Sequence, residues 1–579
     1  MSYDLMFQQA LALHEQGRFN EAESLYRQIL ETAPKNPDIL NLLGLIAQDK
    51  GIHNEAVELF YKAIMEAPTH APFYFNLALS LDLWGKPHEA LDNYRKALKI
   101  NPNIKEAWNN IGNIYKRLGQ PTEARTAYCH ATKLDASYIE PQARLAQMNN
   151  DIIELENLSK QFPDDALCYY LLADHYYRNK NFDFAANYAL RAEQNDHFDA
   201  NIKILSGLIC LAQNNTNDAQ NYFQKALTLA PHAVPALINL ANIETAIGEY
   251  KTAETRYRQA LEFAPQSLDA HLNLADLLYR QKRLPEALEE YRTAVIIDPD
   301  TPEISNNLGV ILKDLGEYKE ALGLFFNAFK LRPQSEEFSI NISETLTLLH
   351  SQKPDEAVEI AQNWSKQAPD NAFATHISAS LQGDTLNESN KIYIEKLFDN
   401  FADNYELVLQ KLNYGVVRSL RSFTGPIEGT VVDLGCGTGL AGMAYQTSVT
   451  KLIGVDISQK MLRQADKKGI YQELIKSDIV SYLQNKPQVD AFIATDVFNY
   501  IGNLAPIINA VAPIKLAFST EDNDTDTPYK LTSSGRFTHR PEHIETLLQN
   551  AGYHKIERQS SILRTENGHP VKGTLWKTW

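Results

Sequence analysis

The segment Val431-Val432-Asp433-Leu434-Gly435-Cys436-Gly437-Thr438-Gly439 sets three glycines at alternate positions directly behind an apolar run. Lacking a Cβ, such glycines let a backbone turn sharply and come close to a ligand. Asp456 follows in Ile453-Gly454-Val455-Asp456-Ile457-Ser458, and Asp478 in Lys476-Ser477-Asp478-Ile479. An ionised carboxylate only accepts hydrogen bonds, so Asp456 can take both hydroxyls of a ribose and Asp478 the amino group of an adenine. Together these residues could hold a nucleoside-containing ligand. Gly437-Thr438-Gly439-Leu440-Ala441-Gly442 also fits G-x-G-x-x-G, the dinucleotide fingerprint. The glycine run, however, already begins at Gly435, directly after the apolar run.

Such residues must be gathered at one edge of a scaffold. Short β-rich runs predict strands near 430–434, 452–455, 471–475, 491–494 and 515–519, with helices between them. That alternation implies an α/β unit with a parallel sheet, whose ligands bind at the carboxyl ends of the strands. Near the end, 560–564 and 572–576 flank Glu566-Asn567-Gly568, and Asn-Gly is a hairpin turn signal. The sheet should therefore close with an antiparallel pair. A polar stretch around 383–390 suits a linker, which places the boundaries at 1–370, a linker at 371–390 and an α/β domain at 391–579.

The D-L-G-C-G-T-G loop followed by Asp456 and then Asp478 resembles the class I S-adenosylmethionine-dependent methyltransferases. Asp456, Ile457 and Ser458 followed by Met461, Leu462 and Ala465 are similar to the D-x-S-x-x-M-L-x-x-A stretch of their small-molecule branch. In that branch the Met and neighbouring apolar residues pack on the adenine; alone, Met461 would read as core. The resemblance implies S-adenosylmethionine as cofactor, a Rossmann-like, mostly parallel seven-stranded sheet with a carboxyl-terminal antiparallel hairpin, and no metal. It implies a cofactor site of Asp433, Gly435, Cys436, Gly437, Gly439, Asp456, Ile457, Met461, Asp478, Ile479, Asp496 and Tyr405. The stretch 397–405 lies as a helix over the cofactor in related small-molecule enzymes, making Phe401 and Tyr405 candidates for a lid or for core packing.

Methyl transfer needs alignment and exclusion of water rather than a covalent residue on the protein. Where an oxygen or nitrogen acceptor needs a base, Asp496, Tyr500 and His539 are the candidates, since their segments border the substrate side. Asp496 has a second reading as a cofactor-side acceptor. Arg536 could hold an acidic group of the acceptor or make a surface ion pair. The fourth-strand motif Thr495-Asp496-Val497-Phe498 departs from the N-P-P-Y of adenine and glutamine-amide methylation, which disfavours both.

The first two thirds of the chain repeat. Ala22, Ala56, Ala90 and Ala124 stand 34 residues apart, and the step returns from Ala185 through Ala219, Ala253 and Ala287 to Ala321. An aromatic follows most of them by four residues and a proline by twelve, while Gly17, Gly51, Gly85, Gly119, Gly248 and Gly316 mark an inner turn. This period signals stacked helical pairs and resembles the tetratricopeptide repeat, in about 11 units with one shortened near 137–163. The chain then reads as an all-α tetratricopeptide superhelix followed by the α/β domain, similar to bacterial methyltransferases that carry such repeats. Asn76, Asn110, Asn239, Asn273, Asn307 and Asn341 recur in phase. Their amides could bind the backbone of an extended peptide in the concave face, or support neighbouring helices.

Composition narrows the classes further. Fifty-five Lys and Arg against 72 Asp and Glu give a formal net charge of -17, which argues against phosphate backbones and anionic lipid. Residues 390–579 hold 21 basic and 20 acidic side chains, so the surplus acidity lies in 1–389 (34 against 52), where it would suit a basic partner or a solvated face. No apolar run is long enough for a membrane helix, and Met1-Ser2-Tyr3-Asp4 lacks the features of a signal peptide, so a cytoplasmic location is expected. Cys129, Cys168, Cys210 and Cys436 form no C-x-x-C pair. The expectation is a methyltransferase acting on a small-molecule or protein acceptor, with the array recruiting a protein or peptide. The other reading is a repeat scaffold with a non-catalytic methyltransferase-like domain.

Overall fold

The computed structural model describes residues 3–384, 386, 388–566 and 568–579. Thr385 and Asn387 of the expected linker and Asn567 of the expected turn lie outside the described residues. The chain divides into two compact units, Met1–Pro265 and Gln266–Trp579.

In the first unit, helices pair from Tyr3–Glu15 with Phe19–Thr32 through Val234–Ala246 with Tyr250–Phe263. The marker alanines and their aromatics, such as Ala56 and Phe60, are fully buried. The reason for the alanine-aromatic spacing also appears on the first helix of a pair. A Cβ added to Gly44 would lie 2.7 Å from Phe60, and one added to Gly112 would lie 2.5 Å from Tyr128. The aromatic ring therefore fills the space of a missing side chain. In the shortened unit the helices Ile139–Asn149 and Ile152–Gln161 have 11 and 10 residues, against 13 and 14 in the pair Lys105–Arg117 and Pro121–Leu134.

The second unit holds three more pairs, from Leu268–Arg280 to Pro354–Gln367, then a single helix, Ala372–Gln382. That helix corrects the expected linker at 371–390. Asn371 caps it by accepting from the amides of Phe373 and Ala374, and Phe373, His376 and Ile377 on it are buried. Polar residues suggested a linker here, yet the apolar face makes this the closing helix of the array.

The α/β domain follows. Strands β1 (Thr430–Leu434), β2 (Lys451–Asp456), β3 (Glu473–Lys476), β4 (Ala491–Ala494), β5 (Lys515–Glu521), β8 (Ile556–Glu566) and β9 (His569–Thr578) form one sheet in the order β3-β2-β1-β4-β5-β9-β8. The first five run parallel; β9 is antiparallel to both β5 and β8. Tyr471, expected in the third strand, precedes β3 and instead donates its hydroxyl to Asp433 Oδ2 at 2.6 Å. A small antiparallel ribbon, β6 (Tyr529–Leu531) with β7 (Phe537–His539), had no sequence signal that we read. Alternate residues of β1 serve opposite faces of the sheet: Val432 and Leu434 join one apolar cluster, Val431 the other. Strand order reverses between β1 and β4, and the crevice at such a point is where open α/β sheets bind ligands.

Candidate functional site

At the carboxyl ends of β1, β2, β3 and β4 lies a cavity open to solvent, with about 820 Å³ of unfilled space counting the part that is open. The glycine loop forms its floor. The amides of Gly435 and Cys436 both donate to Val455 O, at 2.8 and 3.0 Å, tying the loop to the end of β2. All three loop glycines have positive φ, and a Cβ on Gly435 would strike Val497 at 2.3 Å. Gly437 opens to the cavity, with Tyr405 the nearest atom to a built Cβ at 3.9 Å.

Asp456 is the best-defined acceptor. Oδ2 accepts from Gly437 N and Oδ1 from Ser458 N, both at 2.8 Å. One backbone bond per oxygen orients the carboxylate and leaves further lone pairs for a ligand. Burial pushes its carboxyl up to about 6, with the Ser458 and Gly437 amides pulling the other way. Asp478 caps the helix Ile479–Gln484 through Ser481 N and accepts from Lys391 Nζ at 3.0 Å. Burial opposes ionisation there, but the bonds from Ser481 and Lys391 hold the carboxyl below its usual range.

The roof is the helix Lys391–Phe401 and the short helix Tyr405–Lys411. Asp399 accepts from Ser458 Oγ at 2.5 Å and from Lys460 N at 3.2 Å, and Glu395 pairs with Lys476 at 2.7 Å. Thr438 Oγ1 donates to Glu406 at 2.8 Å, which fixes the second helix over the glycine loop. Tyr405 lines the cavity as expected; Phe401 does not, and Phe398 occupies the wall instead. The Phe398 ring meets Tyr500 edge-on at 5.2 Å and Tyr405 at 6.1 Å. Ser389, anchored by its amide to Tyr500 O at 3.1 Å, turns into this wall a hydroxyl that is buried and has no partner among the described residues.

Asp496 follows β4 with a φ of 56°, a conformation rare outside glycine and concentrated at functional sites. Its Oδ1 accepts from Asn499 Nδ2 at 3.0 Å and Arg564 Nη1 at 2.9 Å, while Oδ2 has no hydrogen-bond partner among the described residues, in a residue that lines the cavity. Burial pushes this carboxyl up to about 6 and Arg564 draws it back. Arg564, 1% exposed, also binds Glu521 and, at 2.6 Å, Glu566; Arg536 joins the cluster through Glu566. Two arginines thus face three carboxylates. Sequence reading left Arg536 a choice between an acceptor group and a surface pair. The ion pair forms, with Glu566 and at a half-buried rather than a surface position, and Arg564 and Glu521 went unnoticed because they come from distant strands.

Of the residues expected at the site, Gly435, Gly437, Asp456, Ile457, Met461, Asp478, Ile479, Asp496, Tyr405 and Tyr500 line the cavity. Asp433, Cys436 and Gly439 do not. Asp433 is fully buried behind the loop, on the Val431 side of the sheet, and burial raises its carboxyl to about 7. The Cys436 sulfur packs toward Gly454, and Gly439 stands against Tyr471. His539 is corrected as well. It is fully buried away from the cavity lining, its Nε2 meets the carbonyls of Ile501 (2.9 Å) and Gly502 (3.1 Å), and burial lowers it to about 4. A ring so committed supports the loop after β4 and does not serve as a base. Among the described residues no group of three or more His, Cys, Asp or Glu could hold a metal, and no helix is long and apolar enough to cross a membrane.

The recurrent asparagines are half-buried. Asn110 and Asn307 donate to the hydroxyls of Tyr94 and Tyr291, at 3.0 and 3.2 Å. Asn76 donates to Asn41 and Asn341 to Asn306, while Asn239 bonds the Pro235 carbonyl of its own helix. At these five positions the amide donor supports the array, and the structural alternative accounts for that use.

Comparison with known families fits this geometry. A tetratricopeptide repeat family matches residues 7–71, 154–200 and 238–302, and related tetratricopeptide families match 71–104, 93–126 and 211–261. A methyltransferase domain family matches residues 431–513, from β1 through the helix Ala505–Val511 that follows β4. The chain joins tetratricopeptide repeats to a methyltransferase domain. Among solved structures, a tetratricopeptide repeat protein from Parabacteroides merdae ATCC 43184 is 22% identical over 42% of this chain and 98% of its own, with a TM-score of 0.38. No curated protein matches. The methyltransferase match ends before Arg536, His539 and Arg564, so the roles of those residues rest on geometry.

Proposed function

We propose that the methyltransferase domain binds S-adenosylmethionine and transfers its methyl group to an oxygen or nitrogen acceptor, while the repeat array recruits a protein or peptide partner in the cytoplasm. The observation that carries this reading is Asp456: a buried carboxylate, oriented by Gly437 N and Ser458 N, beside a glycine loop open to the cavity. The residues fit an adenosyl group. Asp456 accepts the ribose hydroxyls, Asp478 the adenine amino group, and Ile457, Met461 and Ile479 supply apolar contact for the base. The unpartnered Ser389 hydroxyl offers one more hydrogen bond. Bound there, S-adenosylmethionine supplies an electrophilic methyl group on a sulfonium sulfur.

The chain's own residues do the rest. Phe398, Tyr405 and Tyr500 exclude water from the acceptor end. Asp496 Oδ2 receives the proton that an oxygen or nitrogen acceptor must lose, and Arg564 keeps that carboxylate ionised in its buried setting. For the array, surplus acidity in 1–389 supports a basic partner, and the asparagine carbonyls whose amide donors are used internally still offer acceptors to a peptide backbone.

Calorimetric titration of S-adenosylmethionine and its demethylated product into the parent and into Asp456→Ala tests the proposal. Micromolar binding that weakens tenfold or more in the variant, about 1.4 kcal/mol, is expected. Absence of binding by the parent would reject the enzyme reading.

A further inference from the structure

The ribbon β6–β7 turns through Thr532 to Gly535, and three of the four turn carbonyls are bonded by side chains of the repeat array. Thr347 Oγ1, on the helix Glu336–Gln352, donates to Ser533 O at 3.4 Å. From the closing helix Ala372–Gln382, Ser380 Oγ donates to Thr532 O at 2.5 Å and His376 Nε2 meets Gly535 O at 3.1 Å. Burial lowers His376, so the ring is neutral at pH 7 and must carry its proton on Nε2 to make that bond. The same ring stacks on Tyr393 with centroids 4.0 Å apart and planes 23° from parallel. Tyr393 belongs to the roof helix Lys391–Phe401, which brings Lys391, Ile394 and Phe398 to the cavity. Lys396 of that helix pairs with Glu336 of the array at 3.3 Å. The turn is tight: a Cβ on Gly535 would lie 3.2 Å from the Tyr393 hydroxyl and 3.3 Å from His376 Nε2. The next residue, Arg536, enters the buried cluster around Glu521 and Glu566 that Arg564 shares with Asp496.

From these contacts we infer that His376, a residue of the repeat array, is a positioning residue for the methyltransferase cavity. Through Gly535 it sets the ribbon that aims Arg536 at the acceptor-side charge cluster, and through Tyr393 it sets the roof helix. The array's closing helix is thereby part of the domain's working structure, and a partner engaging Asn341, on the helix that carries Thr347 and Glu336, acts on both. This inference rests on the cofactor-binding reading above.

The test uses the full-length chain and S-adenosylhomocysteine as the probe. His376→Ala and Tyr393→Leu should each weaken binding about fivefold, and the double variant should be no worse than His376→Ala alone, since that substitution already breaks the path through Tyr393. His376→Gln keeps a donor for Gly535 O and should recover part of the loss. A role limited to stability would lower the melting temperature and leave the dissociation constant alone, as Phe325→Leu in the core of a neighbouring repeat should do. Single variants within twofold of the parent would overturn the inference. If His376→Ala does not fold, Ser380→Ala and Thr347→Val remove the neighbouring turn bonds, and unchanged affinity in both would overturn it equally. If the parent binds no probe, the cofactor reading fails; hydrogen exchange then decides, because His376→Ala should speed exchange in both 391–401 and 529–539, and no change there would refute the positioning role.

Discussion

Asp456→Asn should make the ligand-free protein more stable and the ligand bind worse, with pH dependences of opposite sign. Burial raises this carboxyl from 3.8 to about 6, which corresponds to about 3 kcal/mol held against the ionised form at neutral pH. The sign follows from proton counts. Between pH 3.8 and about 6 the folded state binds more protons at this site than the unfolded chain does, so its contribution to stability is lost as pH rises through that window. Asparagine removes the charge but keeps one acceptor for the two amides of Gly437 and Ser458. Leaving one amide poorly bonded costs about 1–3 kcal/mol, so a net gain of about 1 kcal/mol is expected at pH 7.5, vanishing near pH 5.

Ligand binding moves the other way, because ribose hydroxyls need the ionised acceptor. Affinity of the parent for S-adenosylhomocysteine should be level above pH 7 and fall about tenfold per unit below pH 6, while Asp456→Asn binds at least tenfold more weakly at pH 7.5 and shows little of that slope. Scanning calorimetry of the ligand-free proteins at pH 7.5 and 5, with isothermal titrations at the same values, reads both quantities. A parent affinity that stays level to pH 5, or a variant less stable than the parent at pH 7.5, would refute the reasoning about this buried carboxylate.

His539 gives the opposite acid response. Lowered from 6.5 to about 4 by burial, it leaves the unfolded chain binding more protons in that window, so stability falls as pH drops from 6.5 toward 4, by about 3 kcal/mol at the end. His539→Gln, which keeps a donor for Ile501 and Gly502, should flatten that loss in melting curves, and an unchanged curve would count against the assignment. Gly309→Ala would place a Cβ 2.7 Å from the Phe325 ring. Crowding of about 1–3 kcal/mol should outweigh the gain of about 1 kcal/mol in helix propensity. Combining it with Phe325→Leu should recover part of the loss in a denaturant titration.

The array was legible because one physical demand, close helix approach, recurs every 34 residues, although the companion glycines Gly44, Gly112, Gly207 and Gly309 were in the sequence and went unread. Asp456 and Asp478 were legible for a different reason: each sits at the end of a parallel strand, where local sequence alone fixes which edge it reaches. Alternation along the strand was the neglected signal. In β1 it sends Asp433 to the side of Val431, behind the loop, and in β7 it sends both Phe537 and His539 inward while Thr538 faces out. Helical phase could not have chosen between Phe398 and Phe401, which stand four and seven residues after Ile394 on the same face; tertiary packing decides that Phe398 reaches the cavity. What no local rule could supply is the partnership of Asp496 with Arg564, 68 residues away, or of Gly535 with His376, 159 residues away. The first of those long-range pairs sets the charge around Asp496, and the second holds the turn between β6 and β7. The strand-end residues of the cavity are therefore written in short motifs, whereas the charge cluster around Asp496 depends on how the carboxyl-terminal strands meet.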